Sequence, residues 1–220
     1  MKKMKTLFVI DREKQLAINE INSGCEWIFD KGVTASVKFE GTAAMFLNGK
    51  LFKRWDRKLK KKFQRIKSRQ GSDFNFKEFM LKDIPEGAIA CQEDFDPVTF
   101  HQPFWVEVTE DKADQYFNEA LSCSEVVEGQ TYELIGEKIQ GNFYDVQGHK
   151  LVAHGSLIAD ITDFSFESVK KWLKENNQEG LVFKHPDGRM CKIRRKDFFE
   201  FKELNGGRKV DWRDQNIIFN

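Results

Sequence analysis

The stretch "EGLVFKHPDGRMCKIRR", Glu179 to Arg195, leaves the chain few choices. Two runs rich in branched and aromatic residues flank Pro186-Asp187-Gly188. Proline presets φ for a turn and glycine accepts positive φ, so the stretch predicts a β-hairpin. The hairpin fixes more than local shape. Glu179 stands where the outgoing strand begins, Lys192 lies thirteen residues on in the returning strand, and Arg194 shares its face by the period of two. One carboxylate and two cations meeting there have two readings. They are a ladder of weak cross-strand ion pairs, or a seat for a metal-bound polyphosphate, with the carboxylate on the metal and the cations on phosphate oxygens.

Other segments are punctuated in the same way. Leu7–Ile10 reads as a first strand, and Val33–Lys38 and Ala43–Leu47 as two more separated by Gly41. "LNGKL" at Leu47–Leu51 carries the Asn-Gly hairpin signal. Pro103–Val108 alternates like a strand, "QTYELIG" is β-rich, and Leu157–Ile161 predicts another strand. Helices are predicted over Asp111–Leu121 and over Ser165–Asn176, the second with Ser165 as N-cap. Lys58–Lys67 is a basic loop or a short helix. These elements predict one α+β domain over residues 1–220 with substantial antiparallel sheet.

At 220 residues the chain is long enough for a well-formed core. A formal net charge of +1 gives no global argument for a polyanionic partner, so any such argument must come from local patches. Cys25, Cys91, Cys123 and Cys191 form no CxxC pair, which disfavours a zinc site and suits reduced thiols. No apolar run approaches a membrane span, and Leu7–Ile10 is too short for a signal sequence. An intracellular, cytoplasmic location without membrane insertion is the expectation.

Lys38 stands in "TASVKFEG", a lysine among small and apolar neighbours. It is either a strand-end lysine reaching back to water, or an amine whose charged form is disfavoured and which therefore becomes a nucleophile. Glu40, two residues on, would favour the ammonium. Glu133 in "YELIG" is an ordinary edge carboxylate or an acceptor for a sugar hydroxyl.

In order, the chain shows K-x-E-G at Lys38–Gly41, arginines at Arg54 and Arg57, Y-E-L-I-G at Tyr132–Gly136, E-G-L-V-F-K at Glu179–Lys184, and K-I-R at Lys192–Arg194. This ordered set resembles the motifs of the covalent nucleotidyltransferase superfamily, which holds ATP-dependent DNA and RNA ligases and messenger-RNA capping enzymes. The likeness is closest to small ATP-dependent RNA ligases. "YELIGEKIQGN", "EGLVFKHPDGRMCKIRRKDF", "FKRWDRK" and "PFWVEV" look in particular like the RNA ligase 1 family. The resemblance spans roughly Val33 to Phe198.

The resemblance implies an adenylyltransferase domain, an ATP-grasp-like nucleotidyltransferase of packed antiparallel sheets with flanking helices. It implies that Lys38 attacks the α-phosphorus of ATP to form lysyl-AMP, that AMP passes to a 5′-phosphate RNA end, and that a 3′-hydroxyl displaces it. By the same likeness Lys192 and Arg194 neutralise phosphate, Glu179 holds Mg2+ or Mn2+, Glu133 takes ribose hydroxyls, and Glu40 lies at the nucleotide. Arg54 or Arg57 serves near ribose and phosphate, and spacing favours Arg54. Glu40 replaces a commoner aspartate, and Arg194 stands where many ligases have a second lysine. Too few residues follow the last motif for an OB-fold, which argues against DNA ligases and capping enzymes.

Phe52–Arg69 holds ten Lys or Arg with Trp55 and Phe63 between them. Such a run suits a strand's phosphates and stacked bases, or is a solvated basic face. Tyr144 and His154 are candidates for stacking on adenine, each also readable as structural. Trp27, Trp105, Trp172 and Trp212 read as core or lid residues, and His101, His149 and His185 as turn residues. ATP, a divalent metal and RNA ends are the expected partners. A capping guanylyltransferase, a small DNA ligase or a non-catalytic RNA-binding relative are the alternatives.

Overall fold

The computed structural model describes residues 3–70, 80–97 and 99–199, with no account of the side chains of 68–70. Trp212 and the expectation that no OB-fold follows fall outside the described residues.

The chain begins with β1 (Lys5–Thr6), β2 (Phe8–Ile10) and β3 (Ala17–Ile21), followed by β4 (Thr34–Lys38), β5 (Thr42–Leu47) and β6 (Lys50–Arg57). Then come α1 (Lys61–Gln70), β7 (Ile89–Ala90), β8 (Gln102–Glu107), α2 (Gln115–Ser122), β9 (Thr131–Gly136) and β10 (His149–Ala153). The last elements are α3 (Phe166–Asn176), β11 (Gly180–Lys184) and β12 (Met190–Arg194). The architecture is α+β, with mixed sheets and few helices among the described residues.

One sheet has the order β1-β12-β11-β4, a second the order β10-β9-β5-β6-β8-β7, and β2-β3 form a small third. The expectation of antiparallel sheets needs one correction: β1 runs parallel to β12. Only two residues pair there, and the chain reaches that edge by a long excursion rather than a hairpin.

Both sequence-encoded hairpins form as their turn chemistry dictates. Asn48 and Gly49 take φ of 52° and 72°, the double positive φ of a tight two-residue loop, between the paired Leu47 and Lys50. Gly188 takes φ of 92°, closing the turn between β11 and β12.

Alternation divides the first sheet. Ala35, Val37, Leu181, Phe183, Cys191 and Ile193 are buried, whereas Ser36, Lys38, Val182, Lys192 and Arg194 are half-exposed on the other face. The buried side packs with Val169 and Leu173 of α3. One face of the second sheet carries Ala44, Leu51, Tyr132 and Leu134 onto Phe117 and Ala120 of α2. A separate cluster joins Val37 and Phe39 to Ile135, Val152 and Tyr144, and so ties the first sheet to the second.

Several local expectations change. Leu157–Ile161 is no strand. It lies along the outer edge of β4, where Val37 N–H donates to Leu157 and Ala159 N–H to Ala35, with one bridge between Ser36 and Ile158. The chain then bends, since Ile161 N–H bonds back to the Ala159 carbonyl. Ser165 is the N-cap residue of α3 as expected, but its hydroxyl donates to Asp163 and makes no capping bond to the helix. His149 begins a strand rather than a turn. All four cysteines are free thiols. Among the described residues, no helix is long and apolar enough to cross a membrane.

Candidate active site

Strand order does what sequence spacing cannot. β4 pairs with β11 and β11 with β12, so Lys38, Gly180 and Arg194 stand in one row, with Ser36, Val182 and Lys192 in the next row on the same face. Gly180 is the small member between the two cations. A Cβ there would collide with the Ile193 carbonyl oxygen and lie 3.0 Å from Arg194 Cα. Glycine is therefore required for β11 and β12 to pair closely at this end.

Glu179 precedes Gly180, and its backbone carbonyl accepts from Arg195 N–H. Its carboxylate turns to Lys38, with Nζ 2.9 Å from Oε2. The Glu179 side chain is 9% exposed and that of Lys38 22%. The approach is close without hydrogen-bond alignment, and Oε2 is buried with no directed donor. Burial pushes the Glu179 carboxyl above the usual range while Lys38 acts against that rise. Lys192 is shifted the other way: burial first, then repulsion by Lys38 and Arg194, pulls its ammonium below the usual lysine range. Glu179 faces Lys38 and Asp197 holds Arg194, which leaves Lys192 as the cation of this face without an ion pair among the described residues.

Glu40 does not pair with Lys38, contrary to the expectation from their spacing. β4 ends at Lys38, and buried Phe39 and half-buried Glu40 continue the alternation of burial beyond the paired strand. The Glu40 backbone N–H donates to the Tyr144 hydroxyl at 2.8 Å. Its charge acts on Glu179 and Arg194, which places it beside the same cluster. Gly41 is where the chain passes from the first sheet to the second. A Cβ at Gly41 would strike the Leu134 carbonyl oxygen and come within 2.7 Å of Glu133 Cγ. The glycine of K-x-E-G thus lets the chain leave β4 and cross close beside β9.

Glu133 itself is buried, and its Oε2 lies 2.8 Å from His154 Nε2. Pairing of Met45 with both Phe52 and Thr131 sets the faces: two residues along, Glu133 and Arg54 share one face of the second sheet. Arg54 Nε bonds Asp56 at 2.9 Å. Arg57 lies on the opposite face by the same alternation, and its Nε donates to the Lys82 carbonyl at 2.7 Å. The structure therefore brings Lys38, Glu40, Glu179, Lys192 and Arg194 together. It sets Arg54 on the face of Glu133 and leaves Arg57 on the other.

Two residues take roles the sequence did not disclose. Asp197 grips the Arg194 guanidinium, Nη2–Oδ1 2.7 Å and Nε–Oδ1 3.1 Å. The i,i+3 spacing of "RRKD" was the available signal. His154 supports Glu133 instead of offering a stacking face. Tyr144 is likewise no adenine platform: it is 1% exposed and meets Phe39 edge-on at 5.7 Å.

Among the described residues no group of three or more His, Cys, Asp or Glu could hold a metal alone. The buried, undirected Oε2 of Glu179 nevertheless fits a hard cation completed by phosphate oxygens and water, the habit of Mg2+.

Residues 107–200 match the family model of RNA ligase 1, a stretch that runs from the end of β8 past β12 and contains Glu133, Glu179, Lys192 and Arg194. The match supports the RNA ligase family assignment that the motifs suggested. No curated protein matches the chain.

Proposed function

From the likeness of residues 107–200 to the family model of RNA ligase 1 and the ordered motifs, we propose that this chain is an ATP-dependent RNA ligase that joins 5′-phosphate to 3′-hydroxyl ends. The observation that carries the reading is the Lys38 amine held 2.9 Å from Glu179 on a face shared with Lys192 and Arg194.

The chemistry follows from what each group can do. Lys38 Nζ, once it has given up a proton, attacks the α-phosphorus of ATP. A P–N bond forms, the bond to the bridging oxygen breaks, and pyrophosphate leaves with the electron pair. Lys192 and Arg194 face the phosphates and stabilise the charge that builds on their oxygens. Arg194 is already aimed by Asp197, so little orientation is left to be lost on binding. Glu133 accepts from ribose hydroxyls, with Arg54 on the same face and Glu40 at the nucleotide. Glu179 would hold Mg2+ or Mn2+, which when bound neutralises phosphate charge. The adenylyl group then passes to an RNA 5′-phosphate, and the 3′-hydroxyl attacks that phosphate and expels AMP.

Sealing of a 5′-phosphorylated RNA in the presence of ATP and magnesium tests the reading. Ligated product with ATP, and none without it, is the expected result. Covalent labelling of the protein by GTP in place of ATP would instead place the chain with capping enzymes, and joining only of deoxyribose ends would place it with DNA ligases.

A further inference from the structure

Helix α1 is badly composed for a helix that must stabilise itself. Lys61 and Lys62 occupy its first turn, which contains no acidic residue, although that end of the helix dipole favours anions. Lys61 and Arg65 are like charges at i,i+4 and Lys62 and Arg65 at i,i+3, arrangements that oppose helix formation. Lys61, Lys62 and Arg65 are all exposed. The ion pair recorded next to this helix is Lys60 with Asp83, 3.8 Å apart, with the carboxylate 96% exposed. Packing holds the helix in place instead. Phe63 leans on the cluster of Leu59, Leu81 and Phe100, and Lys67 Nζ sits 4.5 Å over the Phe100 ring.

The aromatic residues of the basic run are therefore committed. Phe63 packs in that cluster, and Trp55 lies 6.0 Å from Phe104. The exposed face of α1 presents charge rather than rings, which suits a phosphate backbone better than stacked bases. The face is also connected to the site. β6 carries Arg54 on the face of Glu133 and ends at Arg57, and α1 begins four residues later. Arg54 and Lys58 lie about 13 Å apart along an extended chain.

We propose that the exposed face of α1, through Lys61, Lys62 and Arg65, seats the sugar–phosphate backbone of the RNA strand whose end is being joined. The proposal rests on the ligase reading for the identity of the strand. The surface reads no sequence, since phosphate contacts carry none. It supplies grip and register, and Arg54 marks the end of the track nearest the nucleotide.

The test compares the full chain with its Lys61→Ala/Lys62→Ala/Arg65→Ala variant, and with a Lys170→Ala/Lys171→Ala/Lys174→Ala variant that removes equal charge from α3. Alanine at exposed helical positions preserves α1. Binding of a 5′-phosphorylated oligouridylate is measured over a range of salt concentrations. For the α1 variant the plot of log affinity against log salt becomes shallower by about 2, three contacts at roughly 0.7 each, while the α3 variant keeps the slope of the unmodified chain. Unchanged binding by the α1 variant, or an equal loss in the α3 variant, overturns the proposal. Covalent labelling by ATP without RNA is read in parallel. An unmodified chain that fails to label defeats the ligase reading, and the binding curves still decide the role of α1.

Discussion

His154 meets Glu133 edge-on, with Nε2 2.8 Å from the carboxylate Oε2, while its Nδ1 lies 3.0 Å from the Thr131 hydroxyl. A neutral imidazole satisfies both partners when Nε2–H donates to Glu133 and Nδ1 accepts from Thr131. One carboxylate oxygen is thereby occupied, and in the proposed mechanism the other accepts from a ribose hydroxyl. His154 is a positioning residue in this arrangement. His154→Ala is expected to raise the nucleotide concentration for half-maximal labelling about tenfold, the scale of one lost hydrogen bond to a charged group. The maximal extent of labelling should hold. His154→Gln retains a donor and should recover part of the loss. A nucleotide titration of both variants checks this, and an alanine variant indistinguishable from the unmodified chain would remove His154 from the site.

Lys192 links function to stability through pH. Burial, Lys38 and Arg194 hold its ammonium below the ordinary value of 10.5, so the folded chain gives up this proton more readily than the unfolded chain. The cost of keeping it charged is fully present below the folded pKa and fades as pH rises toward 10.5. Lys192→Met removes the cost. At neutral pH the variant should melt a few degrees higher, about 2–4 °C for each kcal/mol recovered in a chain of this size. It should also lose labelling. Calorimetry across pH gives the check: the gap between the two proteins should narrow as pH climbs. A lower melting temperature at neutral pH would mean that Lys192 stabilises the fold.

The two candidate arginines separate by face. Arg54→Ala should weaken labelling at least severalfold, because its guanidinium lies on the side of Glu133. Arg57→Ala breaks a bond to the Lys82 carbonyl and should show in thermal stability instead, by about 1 kcal/mol. Assaying both variants for label and for melting temperature distinguishes them. Loss of label in Arg57→Ala alone would reverse the assignment.

What the sequence disclosed depended on distance along the chain. Both hairpins were legible because Asn48-Gly49 and Pro186-Asp187-Gly188 encode their turns locally, and each turn then fixes its register. The common face of Lys192 and Arg194 followed from alternation alone. The approach of Lys38 to Glu179 did not, because it depends on β4 pairing with β11 across more than half the chain, which only the motif likeness hinted at. Leu157–Ile161 is as apolar as a strand, yet it makes a single bridge and bends away from β4. Ser165 has the right chemistry for an N-cap, but Asp163 outcompetes the helix for its hydroxyl. His154 carried no local signal, since its partner lies 21 residues away on the neighbouring strand.

In the proposed mechanism Lys38 is the residue on which the chemistry turns, and the bond it is proposed to form with the nucleotide can be read directly. The chain is incubated with α-labelled ATP and magnesium, denatured, and its modified peptide sequenced, beside Lys38→Ala and Lys38→Arg variants whose folding is confirmed by circular dichroism. The expected result is one AMP joined to Lys38 Nζ by a bond that survives alkali and is cleaved by acid, with neither variant labelled. AMP found on another residue, or a folded Lys38→Ala variant that labels as well as the unmodified chain, would contradict the assignment.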